Sequence, residues 1–274
     1  MAELRVALVQ LRTPASQAAA LAHAEPLVRR AAEAGARLIV TPEATNVLQR
    51  RRELLFAALT TLEGDPAVSG LRALARELRI WLLIGSALVR RDDGRAANRS
   101  VLVGPDGGVA ATYDKLHMFD VDLPTGERHR ESEAYVAGEA AVVAETPFGG
   151  LGLSVCYDLR FPQLYRALAK RGADLIAVPS AFTVPTGEAH WEVLLRARAV
   201  ETGAFVLAAA QGGRHEDGRA TWGRSMIVDP WGRVLARADD DEPQVVIADL
   251  ELDEPARVRA AIPALTHDRA FAAP

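Results

Sequence analysis

A layered α/β fold, with helices outside a mixed sheet or outside two packed sheets, is the architecture this chain predicts. Three observations carry the expectation. Short β-branched runs alternate with Ala/Leu/Arg-rich stretches of helical period. Some of those runs are joined by tight turns and others by helices. No Pro/Gly/Ser-rich linker divides the 274 residues, so one domain spanning 1–274 with a continuous core is expected.

Leu4 to Leu11 reads as a strand, and the charge of Arg5 inside this short apolar stretch speaks against a secretion signal. Ser16 to Ala34 reads as a helix closed by Gly35. Leu38 to Thr41 is a short buried strand ended by Pro42-Glu43. Arg50-Arg51-Arg52 beside Glu53 opens a helical pattern and reads as a solvated helix face. A helix from about Pro66 to Arg79 leads into a strand from Trp81 to Val89. Asp92-Asp93-Gly94 then supplies a hairpin turn before Asn98 to Val103, and Val109 to Tyr113 follows the Pro105 to Gly108 turn. Residues 114–140 are polar and aperiodic, a length of loop that is usually functional or disordered. Ala141 to Thr146 and Leu151 to Val155 are strands, and Pro162 suits the first turn of the next helix. Leu175 to Pro179, Phe205 to Ala210, Ser225 to Val228, Val234 to Arg237 and Val245 to Asp249 complete the strands. His190 to Glu201 is the remaining clear helix. It gathers Trp191, Leu194, Leu195 and Ala199 on one packing face. Trp231 in Asp229-Pro230-Trp231-Gly232 reads as a hairpin turn with an anchoring ring.

Composition narrows the function. With 49% hydrophobic and 25% charged residues the chain resembles ordinary soluble proteins, and a net charge of −4 gives no footprint for nucleic acid. No apolar run reaches the length of a membrane span. The lone cysteine cannot form an internal disulfide, which fits a reducing cytoplasm. Gly149-Gly150-Leu151-Gly152 lies within a strand pattern, so it lacks the context of a dinucleotide-binding loop, and no Gly-Lys-Ser/Thr exists for a P-loop. His190 and Glu192 stand two apart on a helix and point to different faces. Without a His-Glu-x-x-His motif, no zinc is expected.

The chemistry concentrates in three residues. Cys156 stands where the apolar run Gly150 to Val155 breaks into the charged turn Tyr157-Asp158-Leu159-Arg160-Phe161-Pro162. Of 32 basic residues only Lys115 and Lys170 are lysine, so an isolated lysine invites a chemical explanation. Glu43, Lys115 and Cys156 each fall just past the carboxyl end of a predicted strand, the edge at which open α/β sheets bind ligands. Together they suit acyl transfer: a thiol nucleophile, a carboxylate to take and return its proton, and an ammonium that, with the Tyr157 backbone N–H, holds the developing oxyanion. Taken singly, each has a plain structural reading: a packed thiol, a helix N-terminal carboxylate, a surface charge. Spacing alone does not decide between them.

The motifs decide more. Thr41-Pro42-Glu43, Tyr113 to Asp120 and Val155 to Pro162 resemble the three signature regions of the nitrilase superfamily of carbon–nitrogen hydrolases, in the same order. That resemblance implies a four-layer αββα sandwich. It makes Glu43 the general base, Lys115 the oxyanion stabiliser and Cys156 the nucleophile, and matches Glu131 to a second glutamate that positions the lysine and substrate. Gly187 to Arg198, Ala210 to His215 and Trp222 to Gly232 are most similar to amidases acting on deaminated glutathione, while omega-amidases of alpha-keto acid monoamides share much of the pattern. In both groups the substrate is a small carboxylate-bearing amide. The implied reaction is cofactor-free hydrolysis to acid and ammonia through a thioester. Arg160 is carried over as the carboxylate clamp, with an ion pair to Asp158 as its structural alternative. Phe182 is expected to wall the pocket. Arg224 stands where histidine is more usual in relatives, a departure that touches substrate identity. The resemblance also implies a homodimer pairing through helices. Two rivals remain open at this point: a cysteine–histidine hydrolase using His117 or His190, and a non-catalytic scaffold of the same fold.

Overall fold

The computed structural model describes residues 2–123 and 126–272. The elements run β1 (Glu3–Gln10), α1 (Gln17–Glu33), β2 (Leu38–Val40), α2 (Arg52–Ala58), α3 (Pro66–Leu78), β3 (Trp81–Arg90), β4 (Ala96–Val103) and β5 (Val109–Asp114). There follow β6 (Asp120–Asp122), β7 (Arg128–Arg130), β8 (Val142–Thr146), β9 (Gly149–Leu153), α4 (Pro162–Lys170), β10 (Ala173–Ala177) and α5 (Val184–Thr202). The last are β11 (Phe205–Ala208), β12 (Gly212–Arg214), β13 (Ala220–Trp222), β14 (Met226–Val228), β15 (Val234–Arg237), β16 (Gln244–Glu251) and α6 (Glu254–Ala261).

Two six-stranded sheets result, ordered β16-β1-β2-β3-β4-β5 and β15-β14-β11-β10-β9-β8. Each has a parallel centre, β1-β2-β3 and β9-β10-β11, with antiparallel strands at the flanks. The parallel centres explain the near-continuous apolar runs, because such strands are buried on both faces. Period-two alternation then sorts the side chains between two cores. Leu8, Val40 and Leu83 stand side by side across three strands and face the second sheet, with Leu151, Leu153, Leu175 and Phe205 opposite. Their neighbours Ala7, Ile39 and Leu82 face the outer helices instead.

α1 begins where Ser16 accepts the Ala19 N–H and buries Ala20, Ala24, Val28 and Ala31 along one stripe. α3 begins at Asp65, which accepts the Val68 N–H at 2.9 Å, and adds Val68, Leu71, Leu74 and Ala75 to the same outer layer. On the far side, Leu164, Tyr165 and Leu168 of α4 and Trp191, Leu195 and Ala199 of α5 pack on the second sheet. The layers are therefore α–β–β–α, the sandwich that the motifs imply.

Several expectations need correction. The stretch 114–140 is not plain loop: β6 and β7 pair as a hairpin, and Glu131–Glu133 forms a 3-10 turn. The ribbon β12–β13 and the helix α6 were not expected. α5 starts at Val184 rather than His190, because Pro185 is tolerated in a first helical turn. The Trp191 face of α5 packs into the chain's own core, so it is not free for a partner; Val193 and Val200 are the exposed apolar residues of that helix. Trp231 does not anchor its turn. Asp229 does so, accepting the Trp231 and Arg233 N–H groups, and leaves the indole 54% exposed. Among the described residues, no helix is long and apolar enough to cross a membrane.

Candidate active site

Cys156 opens a 3-10 turn (Cys156–Arg160) just beyond β9, at φ +50°. A non-glycine residue at positive φ is strained, and such strain persists only where the surroundings fix it. Here they do. The Cys156 N–H donates to the Pro179 carbonyl at 2.9 Å. The buried Arg198 of α5 donates from Nε and Nη2 to the Leu159 carbonyl, at 3.0 and 2.8 Å. Asp158, fully buried, accepts the Val155 N–H at 2.8 Å and the Tyr113 hydroxyl at 2.7 Å through one oxygen. Its other oxygen accepts the His117 N–H at 3.0 Å and lies 2.7 Å from His117 Nδ1. One carboxylate thus ties the cysteine turn to the segment that carries Lys115.

Glu43 follows β2 in a turn fixed at both ends. Ala44, at φ +57°, donates its N–H to Ser86 Oγ at 2.9 Å, and Gln211 Nε2 donates to the Glu43 carbonyl at 2.9 Å. Gly85 of β3 lies directly beneath: a Cβ there would stand 1.9 Å from the Thr41 carbonyl oxygen and 2.5 Å from Pro179 Cβ. Only a glycine lets the two sheets approach this closely at the site.

These turns bring the side chains together. Lys115, 2% exposed, places Nζ 3.0 Å from Glu43 Oε1 and 2.9 and 2.8 Å from the two Glu131 oxygens. The Phe119 N–H holds Glu131 Oε2 at 2.6 Å. Asn98 bridges both acids, donating to Glu43 Oε1 at 2.8 Å and reaching Glu131 Oε1 at 3.4 Å. Burial by itself would lower the Lys115 pKa, yet Glu131 and Glu43, and then Cys156, hold it well above its usual range. The ammonium is therefore charged. Burial first, and then Glu43, push the Cys156 thiol well up, against Lys115 and the Ala181 backbone N–H, which act in the opposite direction. Two acids around one ammonium already leave an excess negative charge, so the resting sulfur is a thiol beside a carboxylate rather than a thiolate.

The cluster opens into a cavity of about 410 Å³, lined by Glu43, Lys115, Glu131 and Cys156. Tyr157, Arg160 and Phe182 line it as well. Arg160 has no ion pair to Asp158, whose oxygens are occupied as described; it lies 5.6 Å over the Phe182 ring and reaches His190 Nδ1 at 3.2 Å. No carboxylate of the described residues neutralises it. His117 is stacked on Phe161 at 3.5 Å and held by Asp158, and neither it nor His190 lines the cavity. Glu192 pairs with Arg196 and Arg237. Arg224 sits at φ +60°, outside the cavity lining, with its guanidinium 5.8 Å over the Trp222 ring.

Sequence reasoning missed Asn98 and the role of Asp158. A signal existed for the first: asparagine is an unusual tenant of a strand whose neighbours are buried on both sides. Asp158 was visible within its motif, but two of its three partner residues, Tyr113 and His117, lie on a segment that only the fold brings near.

The geometry and the sequence agree on a class. The chain belongs to the carbon-nitrogen hydrolase family, whose pattern matches residues 5–260, and is an amidase of the nitrilase superfamily. Over 272 residues it is 40% identical to the deaminated glutathione amidase of Yersinia enterocolitica, covering 98% of this chain and 94% of that protein. Saccharomyces cerevisiae Nit3, described as a member of branch 10 of the nitrilase superfamily, superposes with a TM-score of 0.87 at 29% identity, covering 98% of this chain and 97% of that one. The amidase from Nesterenkonia sp. AN1, in a structure showing the result of Michael addition of acrylamide at the active site cysteine, superposes with a TM-score of 0.78 at 31% identity, covering 95% and 98%.

Proposed function

We propose that this amidase hydrolyses deaminated glutathione, with Cys156 as nucleophile, Glu43 as general base and acid, and Lys115 as oxyanion stabiliser. The observation that carries the reading is the Lys115 ammonium, held by Glu43 and Glu131 at the floor of the cavity that also exposes Cys156. Glu43 takes the thiol proton as Sγ bonds to the carbonyl carbon. The oxygen that gains charge is met by Lys115 and the Tyr157 N–H, donors typically worth about 3 to 4 kcal/mol each. Collapse of the adduct breaks the C–N bond, and the amine leaves with the proton from Glu43. Water, deprotonated by Glu43, then cleaves the thioester and the proton returns to sulfur. Glu131 keeps Lys115 in place. The amine released is ammonia for a monoamide, as the general scheme has it, but cysteinylglycine for deaminated glutathione.

Arg160, unpaired on Phe182, is suited to the acyl-side carboxylate. A cavity of about 410 Å³ lies within the range of ~300–1,000 Å³ that holds drug-sized ligands. That leaves room for a tripeptide-sized substrate as well as a short keto acid monoamide. The test is release of 2-oxoglutarate from deaminated glutathione and from 2-oxoglutaramate, in the native enzyme and in Glu43→Gln and Cys156→Ala. We expect the tripeptide analogue to be preferred and both variants to lose at least 1,000-fold in kcat, a scale expected for a positioned base or nucleophile. Retained activity in Glu43→Gln would instead point to a histidine base, and an inert native chain to a scaffold. We also propose that the enzyme works as a homodimer in a reducing, cytoplasmic compartment, joined through the outer face of α5.

A further inference from the structure

This inference rests on the amidase reading above and concerns what another wall of the same cavity recognises. Six arginines line that cavity: Arg50, Arg52, Arg128, Arg130, Arg160 and Arg219. Most are engaged elsewhere. Arg128 and Arg130 each reach Asp122 at 2.8 Å. Arg52 donates to the Glu133 carbonyl at 2.6 Å and lies 4.0 Å from that residue's carboxylate. Arg160 belongs to the cysteine turn. Arg50 makes no side-chain hydrogen bond or ion pair with any described residue, and Arg219 keeps only a loose contact, 3.6 Å from Nη2 to Asp217 Oδ2. That oxygen is itself buried without a hydrogen-bond partner, so the pair is not closed.

His129 of β7 lines the cavity too. Its ring rests 4.9 Å from Phe119, and its buried Nε2 has no hydrogen-bond partner, the nearest acceptor being the Glu127 carboxylate at 3.6 Å. All three residues line the same cavity, and burial, then Arg219 and Arg50, lower the His129 pKa against the pull of Glu127. A free cation, a loosely paired one and an imidazole without a hydrogen bond at Nε2 therefore converge from three separate segments: the approach to α2, the β6–β7 hairpin and the β12–β13 turn.

We propose that Arg50, Arg219 and His129 form an anion subsite for a carboxylate carried on the leaving amine, separate from the acyl-side carboxylate facing Arg160. Guanidinium forks match a carboxylate bidentately, and a neutral imidazole N–H adds a further donor. The class of substrate so defined is an amide whose nitrogen belongs to an amino acid or short peptide with a free C-terminus. Deaminated glutathione has that carboxylate on its glycine. A monoamide that releases ammonia lacks it.

The experiment compares kcat/KM for deaminated glutathione and for its C-terminal carboxamide, using the full chain and the variants Arg50→Gln and Arg219→Gln. The native enzyme should prefer the acid. Each variant should reduce the acid-to-carboxamide ratio roughly 10- to 100-fold, through KM, as expected for loss of charge-assisted hydrogen bonds. Equal handling of the two compounds by the native enzyme, or a ratio unchanged in both variants, overturns the subsite while leaving the amidase reading intact. Should the native enzyme turn over neither compound, the choice of substrate falls. The subsite is then decided by calorimetric binding of glutarylglycine against glutarylglycinamide to Cys156→Ala. Tighter binding of the carboxylate that Arg219→Gln abolishes upholds it, and equal affinity overturns it.

Discussion

At the site, a single cation stands among two acids and a thiol, and in the proposed mechanism this imbalance keeps the sulfur protonated until substrate arrives. A second titrating residue affects stability instead. His215 is buried, with Nε2 2.7 Å from Thr221 Oγ1, and burial, with Arg219 adding to it, lowers its pKa from 6.5 to about 4. The unfolded chain binds this proton near pH 6.5 while the native one does not until about pH 4, so stability is full above the window and is lost as pH falls through it. A loss on the order of 3 kcal/mol is expected across that interval. Urea unfolding at pH 7 and pH 4.5 measures it, and His215→Gln should flatten the dependence; equal slopes in both proteins contradict the assignment. Glu43, Lys115 and Cys156 could be grouped from the sequence because each sits in a dense local motif, whereas Glu131, outside those motifs, was reached only through the family resemblance. Arg50, His129 and Arg219 were not recognised as a group, since nothing along the chain says that three separate segments share one wall.

Elements were legible to the extent that burial is periodic. β1 declared itself because both of its faces are covered, and α1 and α3 because their apolar residues recur at helical spacing. The β6–β7 hairpin escaped because its strands are mostly Asp, Arg and His, with Val121 alone apolar and no residue fully buried. α6 escaped for a related reason, as only Pro255 is buried in it. The contact between elements most open to test is Gly85. Because the obstructing atom is a backbone oxygen of the turn that leads to Glu43, it cannot rotate away. Gly85→Ala is expected to cost about 3 kcal/mol, the upper end of ordinary overpacking, and to reduce kcat together with stability. Chemical denaturation alongside steady-state rates checks this, and a variant matching the native protein in both would show that the sheets can yield here.

For the whole molecule, each sheet repeats one plan of parallel centre and antiparallel flanks, and the shared core between them makes the two sheets dependent on each other. The sandwich was legible only through motif resemblance. Alternation alone left a single mixed sheet and two packed sheets equally open, because strand order is set by contacts distant in sequence. Outside the core, Val193, Val200, Trp231 and Ile262 remain 61%, 58%, 54% and 56% exposed, on α5, the β14–β15 turn and just past α6. We expect this apolar surface to be covered by a second copy. If the native chain sediments as the expected dimer, Val200→Glu should make it a monomer in sedimentation velocity, and a native chain that sediments as a monomer would remove the idea.

The near-absence of lysine bears on the fate of the acyl group. Lys115 is locked as an ammonium between two acids, and Lys170 is ion-paired with Asp268 on the surface. In the proposed reaction, a thioester on Cys156 therefore has no free side-chain amine beside it to become permanently acylated, and water is left as the acceptor.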